Sequence, residues 1–342
     1  MSKPRKVAVV VNPHSAGGRT AREWPELASL LENRLGPVHT RFTDDHGAGI
    51  AITQELLREG HDLIIAVGGD GTINEVANGF FDRNDMINPE AALGVLPLGT
   101  GGDFRRTLGI PTRPSDAIDV LTSGPATSID VGLATFRARN GQPMSRYFVN
   151  LVSFGMGGHV AAQSKNFMRK FGGRAAFFWA TVKTFLSYRG RDVHLTLDEG
   201  AHALSCFITN VAIGNGQFHG GGMWPCPAAA PNDGVFDVTI IDYAGALRLL
   251  ASISVLYSGK VYSHPLVRHF EAGRILAESS STTEIEIDGE PLGTLPLEIS
   301  ILPRRLRVHV PPSCAWLAAS ASVKTGTTAH KKNSLGCFCN PG

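Results

Sequence analysis

The sequence predicts a two-part chain: an α/β layer built on a mostly parallel sheet, then an antiparallel β domain. Three observations carry this. Short apolar runs alternate with helical patterns through the first third of the chain, the order that gives parallel strands with crossover helices. Glycine-rich loops close several of those runs. Beyond about residue 125 short alternating segments take over, the pattern of antiparallel strands with one covered face.

Val7 to Val11 is an unbroken apolar run, ended by Asn12-Pro13-His14-Ser15-Ala16-Gly17-Gly18. It reads as a strand buried on both faces and stopped by a turn. Trp24, Leu27, Leu31 and Leu35 recur at helical spacing and predict a helix over 21–35. A strand is expected at 38–43, a helix at 48–59, a strand from Leu63 to Val67, a helix from Thr72 to Phe81 and a strand from Leu93 to Leu98. In the second half, strands are expected at Ser128 to Leu133, Tyr147 to Phe154, Asp192 to Leu197, Cys206 to Ile213, Val235 to Ile241, Thr283 to Ile287 and Leu297 to Leu302. Helical insertions are expected near 160–188 and 244–258. The implied division is 1–126, 127–310 and a return segment with a disordered Ser, Thr, Lys and Gly-rich tail over 311–342.

With 342 residues, 43% of them hydrophobic, the chain can bury two cores. The net charge of +2 argues neither for nor against nucleic acid. Five cysteines form no paired CxxC spacing and are expected to be reduced thiols in a cytoplasm. His14, His159 and His219 have no Cys/His spacing that would make them metal ligands. The first apolar run is too short for a signal core, and no run approaches the ~20 apolar residues of a membrane span.

The chemistry-bearing segments sit after strands. Gly68-Gly69-Asp70-Gly71-Thr72 joins a predicted strand to a predicted helix. Glycines let backbone N–H groups approach phosphate oxygens, and the helix start adds a positive dipole. Asp70 could hold Mg²⁺, and Thr72 could cap the helix or bond a phosphate. Alone, such a loop reads equally as a strand-to-helix turn. It is neither a Walker A loop nor a GxGxxG fingerprint. Pro97-Leu98-Gly99-Thr100-Gly101-Gly102-Asp103-Phe104 follows another strand and offers Thr100 and Asp103. With Asn12 to Gly18, three such loops after strands of one layer should converge on one crevice. Asn232-Asp233-Gly234 and Asp288-Gly289-Glu290 also read, by themselves, as hairpin turns.

In this order these segments resemble the diacylglycerol kinase catalytic family, over roughly residues 5–310. The resemblance implies an NAD kinase/phosphofructokinase-like N-terminal layer and a C-terminal antiparallel β-sandwich domain. It implies ATP and Mg²⁺ as cofactors and transfer of the γ-phosphoryl to a lipid hydroxyl, diacylglycerol being the first acceptor to expect. Asn12, Pro13, His14, Ser15, Ala16, Thr43, Gly68, Gly69, Asp70, Gly71, Thr72, Ile73, Asn74, Thr100 and Asp103 match nucleotide-binding segments. Asp70 matches a nucleotide-metal carboxylate, Asp233 with the carbonyls of Ala230 and Val235 a second Mg²⁺ site, and Glu290 the general base. The chain departs at Gly102, where the family usually has Asn, and at Asn232, where it often has Asp. Sphingoid bases, ceramide, phosphatidylglycerol and, by the shared loop, NAD are alternative acceptors. A non-catalytic nucleotide-binding module is a further alternative. Expected partners are ATP and a lipid at a membrane surface, not nucleic acid, with a homodimer left open. The expected place is the cytoplasm, with contact to a membrane face. Met168 to Arg191 is basic, aromatic and free of acidic residues. It reads either as a membrane-surface helix or as a packed helix with a solvated face.

Overall fold

The computed structural model describes residues 6–160, 188–245, 248, 253–314 and 316–317. The first apolar run forms strand β1 (Val7–Val11), and every residue of it is buried. It is followed by helix α1 (Ser15–Leu35), β2 (Val38–Phe42), α2 (Ala48–Arg58), β3 (Leu63–Gly68) and α3 (Asp70–Gly79). A small hairpin of β4 (Phe81–Asp82) and β5 (Asp85–Met86) leads to β6 (Ala92–Pro97). Helices α4 (Asp103–Thr107) and α5 (Pro114–Ser123) close the layer. The sheet order is β6-β3-β1-β2, all parallel. Helix α1 buries Trp24, Leu27 and Leu31, as their spacing requires. It begins earlier than expected because Ser15 starts a first turn. Ala16, Gly17 and Gly18 interrupt that turn at positive φ of 52, 67 and 82°.

The second half contains β7 (Ala126–Ala138), β8 (Pro143–Phe148), β9 (Leu151–Gly155), β10 (Arg191–Leu197), β11 (His202–Gly214) and β12 (Phe236–Asp242). Then come β13 (Val267–Ala272), β14 (Arg274–Glu278), β15 (Glu284–Ile287) and the 20-residue β16 (Glu290–His309). These strands pair antiparallel around a second core that holds Phe148, Phe154, Ile213, Phe236, Leu297 and Ile299. The result is an antiparallel β-sandwich. One ladder differs: Arg307 and Val308 of β16 pair in parallel with Ala92 and Leu93 of β6. Through it the two halves share one sheet. Ile129 and Val131 of β7, with Leu306 and Val308 of β16, belong to the first core.

One expectation changes, and two others fall largely outside the described residues. The single strand foreseen from Tyr147 to Phe154 is two, because the N–H groups of Val149, Asn150 and Leu151 turn to the carboxylate of Asp288 instead of a ladder. Of the helix foreseen over 244–258, Arg248 is helical and Ile253–Tyr257 forms a 3₁₀ turn, with 246–247 and 249–252 outside the described residues. The insertion foreseen at 160–188 lies, apart from its two end residues, outside the described residues. Among the described residues no helix is long and apolar enough to cross a membrane.

Candidate active site

Parallel pairing of β3 with β6 sets Gly68 opposite Pro97, so the loops that follow both strands leave the sheet side by side. They touch there: a Cβ on Gly99 would clash with the Cα of Gly69. The loop after β1 joins them. Asn12 Nδ2 donates to Thr72 Oγ1 at 3.1 Å, and the His14 N–H donates to Asn12 Oδ1. Ser15 Oγ lies 3.9 Å from where a Cβ of Gly69 would stand. The Thr43 N–H donates to the Val11 carbonyl at 2.9 Å, which brings the end of β2 to the same edge. Pro13 and Ala16 sit within the first loop, and Thr100 is exposed in the third. The three glycine-bearing loops therefore meet at one sheet edge.

Asp70 holds this edge together. Its carboxylate accepts N–H groups of Gly102 at 2.7 Å, Asp103 at 3.1 Å and Phe104 at 3.1 Å. It is thus the cap of α4, and most of its lone pairs are already committed. Asp103 in turn accepts from Arg106 at 2.6 Å and from the Gly221 N–H at 2.8 Å, which ties the third loop to the 220–222 glycines of the second half. Ile73 and Asn74, the last two residues of the matched segment, lie beneath the loop. Ile73 packs in the first core. Asn74 is buried, and its amide donates to Asp288 Oδ2 at 2.8 Å and accepts from Arg146 at 2.9 Å.

Asp288 is buried at the tip of the turn between β15 and β16, with a positive φ of 46°. Burial raises its pKa, opposed by the N–H donors of Val149, Leu151 and Asn150 and the amide of Asn74. Holding this turn delivers Glu290 to the cleft. Glu290 is 7% exposed, and its Oε1 lies 3.6 Å from where a Cβ of Gly71 would stand. The same oxygen is 3.0 Å from His46 Nε2, and His46 Nδ1 is 3.7 Å from Glu75 Oε1. Glu75 also accepts the N–H groups of Gly47 at 2.8 Å and Gly49 at 3.0 Å. Asp70 and Glu290 thus flank the same glycine, Gly71, from the two halves of the chain. A carboxylate beside a loop of free amides can accept a proton next to an anionic group.

Asp233, Ala230 and Val235 form a separate turn before β12. The Ala230 carbonyl accepts the N–H groups of Asn232 and Asp233, and Asp233 Oδ1 accepts that of Val235. Loss of hydration first, then the nearby carboxylates of Asp130, Asp237 and Glu271, push the Asp233 carboxyl up to about 6. Oxygen-only donors among crowded carboxylates fit a hard divalent cation. Asp130, fully buried, accepts the N–H groups of Gly234 and Arg304 and steadies this turn. Sequence reading missed it because it lies inside a strand with no local pattern. His46 and Glu75 were also unmarked, and nothing in the sequence paired His219 with Glu286; their partners come from distant segments.

A cavity of about 560 Å³ adjoins the loops. It reaches from Asp70, Asp103 and Gly289 to Ile241, Leu256 and Leu266, and apolar side chains form much of its wall. His219 lines it, 3.2 Å from Glu286. The basic stretch Met168 to Arg191 lies outside the described residues except for its last four.

Residues 6–134 match the diacylglycerol kinase catalytic domain, and residues 150–310 match the YegS C-terminal NAD kinase beta sandwich-like domain. A probable lipid kinase YegS-like protein of Pseudomonas putida is 32% identical over 81% of this chain and 87% of its own length. A diacylglycerol kinase of Staphylococcus saprophyticus is 26% identical over 90% of this chain and 96% of its own. A diacylglycerol kinase structure from Bacillus anthracis superposes with a TM-score of 0.67 at 22% identity, covering 92% of this chain and all of that one. Yeast NADH kinase shares the fold more distantly, with a TM-score of 0.51 at 11% identity over 97% of this chain and 91% of that one. The two domain matches, in the family's order, and the 32% identity to the Pseudomonas putida lipid kinase-like protein make this chain a member of the diacylglycerol kinase catalytic-domain family and a lipid kinase.

Proposed function

We propose that this kinase transfers the γ-phosphoryl of Mg-ATP to the primary hydroxyl of diacylglycerol, forming phosphatidic acid. In this reading residues 1–126 hold the nucleotide, 127–310 hold the lipid, and the lipid is taken from a membrane surface on the cytoplasmic side. The observation that carries it is the position of Glu290 against Gly71, beside a cavity with a largely apolar wall. Phosphoryl transfer asks mainly for positioning and for charge neutralisation. Backbone amides of 68–72, with Asn12 and Thr100 at the same edge, grip the phosphates. Asp70 keeps the third loop in place for them. Glu290 accepts the hydroxyl proton as the lipid oxygen attacks. Asp233, with the carbonyls of Ala230 and Val235, would hold Mg²⁺; Asp70 has one free carboxylate edge for the nucleotide's own metal. Bound Mg²⁺ supplies neutralisation of phosphate charge. The apolar wall favours a lipid acceptor over NAD.

The test is transfer of label from γ-labelled ATP with Mg²⁺ to phosphatidylcholine vesicles containing diacylglycerol, ceramide, a sphingoid base or phosphatidylglycerol, and to NAD in solution. Label should appear in phosphatidic acid. Label confined to another lipid would replace the acceptor, and label on NAD alone would overturn the reading.

A further inference from the structure

We infer that His46 is a positioning residue for Glu290 that also carries the abstracted proton to solvent, an inference resting on Glu290 as the base. The geometry is a bridge. His46 Nε2 is 3.0 Å from Glu290 Oε1, and Nδ1 is 3.7 Å from Glu75 Oε1. Both carboxylates are nearly buried, with side-chain exposures of 9% and 10%, whereas His46 is 62% exposed. The imidazole is therefore the wet end of a dry carboxylate pair. The loop that presents it is fixed. Glu75 accepts the N–H of Gly47 and of Gly49 on either side of the helix start, and Gly47 takes a left-handed φ of 89° that turns the chain there. Glu75 thus anchors the His46 loop by its backbone and faces the ring with the same carboxylate.

The role follows from the reaction. As the lipid oxygen bonds to the γ-phosphorus, the bond from that phosphorus to the bridging oxygen breaks and ADP leaves with the electron pair. The hydroxyl proton passes to Glu290. A base as buried as Glu290, set against the glycine loop, has poor access to water. It must shed that proton before the next turnover. Glu290 hands it to Nε2 of the neutral ring, Glu75 stabilises the imidazolium, and the exposed ring releases the proton to water. The carboxylate of Glu290 is then restored with all protons accounted for. Imidazole suits this because it can accept a proton at one ring nitrogen and release one from the other.

The test uses the full chain, γ-labelled ATP, Mg²⁺ and phosphatidylcholine vesicles carrying whichever lipid the wild type phosphorylates. His46→Ala should lower kcat by roughly tenfold to a hundredfold, a part of what a general base supplies, with the KM for ATP within about twofold. Added imidazole should restore turnover in a saturable way. Pyrazole, the same size but a far weaker base, should not. Unchanged kcat in His46→Ala, no rescue, or equal rescue by both azoles would overturn the relay. Thermal unfolding of the variant should match wild type; if it does not, His46→Gln, which keeps a hydrogen-bonding side chain, takes its place in the same azole comparison. Failure of the parent reading is distinguishable: Glu290→Gln would then retain full turnover, whereas failure of the relay leaves Glu290→Gln slow.

Discussion

The side-chain amide of Asn74 donates to Asp288 Oδ2 at 2.8 Å, joining positions 214 residues apart. The helix that begins at the glycine loop and the turn that presents Glu290 are thereby fixed to each other. Asp288 meets three backbone N–H groups besides. Replacing Asp288 with Ala leaves those buried donors unpaired, at about 1–3 kcal/mol each. Chemical denaturation should show a loss of several kcal/mol, with activity lost alongside. A variant as stable as wild type would refute the role of this node.

Glu290→Gln keeps the size of the side chain and removes its basicity. Turnover should fall by ~10²–10⁴-fold with the KM for ATP nearly unchanged. Steady-state kinetics decide it. Unaltered kcat would remove Glu290 from the proton transfer.

Asp70→Asn puts an NH₂ group among three N–H donors. The α4 cap should weaken by about 1–3 kcal/mol, and the KM for ATP should rise as the third loop loosens. Nucleotide titration with parallel thermal melts separates the two effects. A lower melting temperature with unchanged ATP use would restrict Asp70 to support of the fold.

Gly99→Ala tests the meeting of the loops. The added methyl would strike the backbone of Gly69, so the loops must part, at about 1–3 kcal/mol. ATP use should suffer far more than at Gly60→Ala, where a Cβ meets nothing within 4 Å. Equal ATP kinetics in the two variants would contradict the contact.

Burial alone would lower the pKa of His219, but Glu286 beside it, with Asp103 and Asp288, raises it from 6.5 to about 9. The folded chain then holds a proton that the unfolded chain releases above 6.5. The resulting stabilisation is complete below pH 6.5 and is lost as pH rises through about 9. It amounts to no more than about 3 kcal/mol. The melting temperature of wild type should fall across that window more than that of His219→Gln. Parallel profiles would count against a charged His219.

The glycine loops and the strands before them were legible because each apolar run ends in glycine at the sheet edge. Trp24, Leu27 and Leu31 likewise announced their helix. Strands β13 and β14 were hidden by Arg268, Glu271, Arg274 and Glu278, whose charges break up the pattern of the buried Ala272, Ile275 and Ala277. The length of β16 was hidden by Pro296 and Pro303, which read as breakers. Helix α5 has Pro114 and Asp116 in its first turn and buries Ala117, Ile118 and Leu121 at helical spacing, but it is short. Within the site, Asp70 and Glu290 belong to continuous motifs. His46, Glu75 and Asp130 acquire partners only when chain segments far apart in sequence are folded together, so no local pattern marks them.

The parallel ladder between β16 and β6 has a consequence for biosynthesis. The outer edge of β6 is covered by Arg307 and Val308, and Leu306, Val308 and Val310 fill the core beneath. While the ribosome is still making the middle of the chain, the N-terminal layer therefore has an open strand edge and an unfilled apolar floor. It can close only after residue 310 has emerged. Emergence of residues 306–310, rather than completion of the first third, is the moment at which this layer becomes whole.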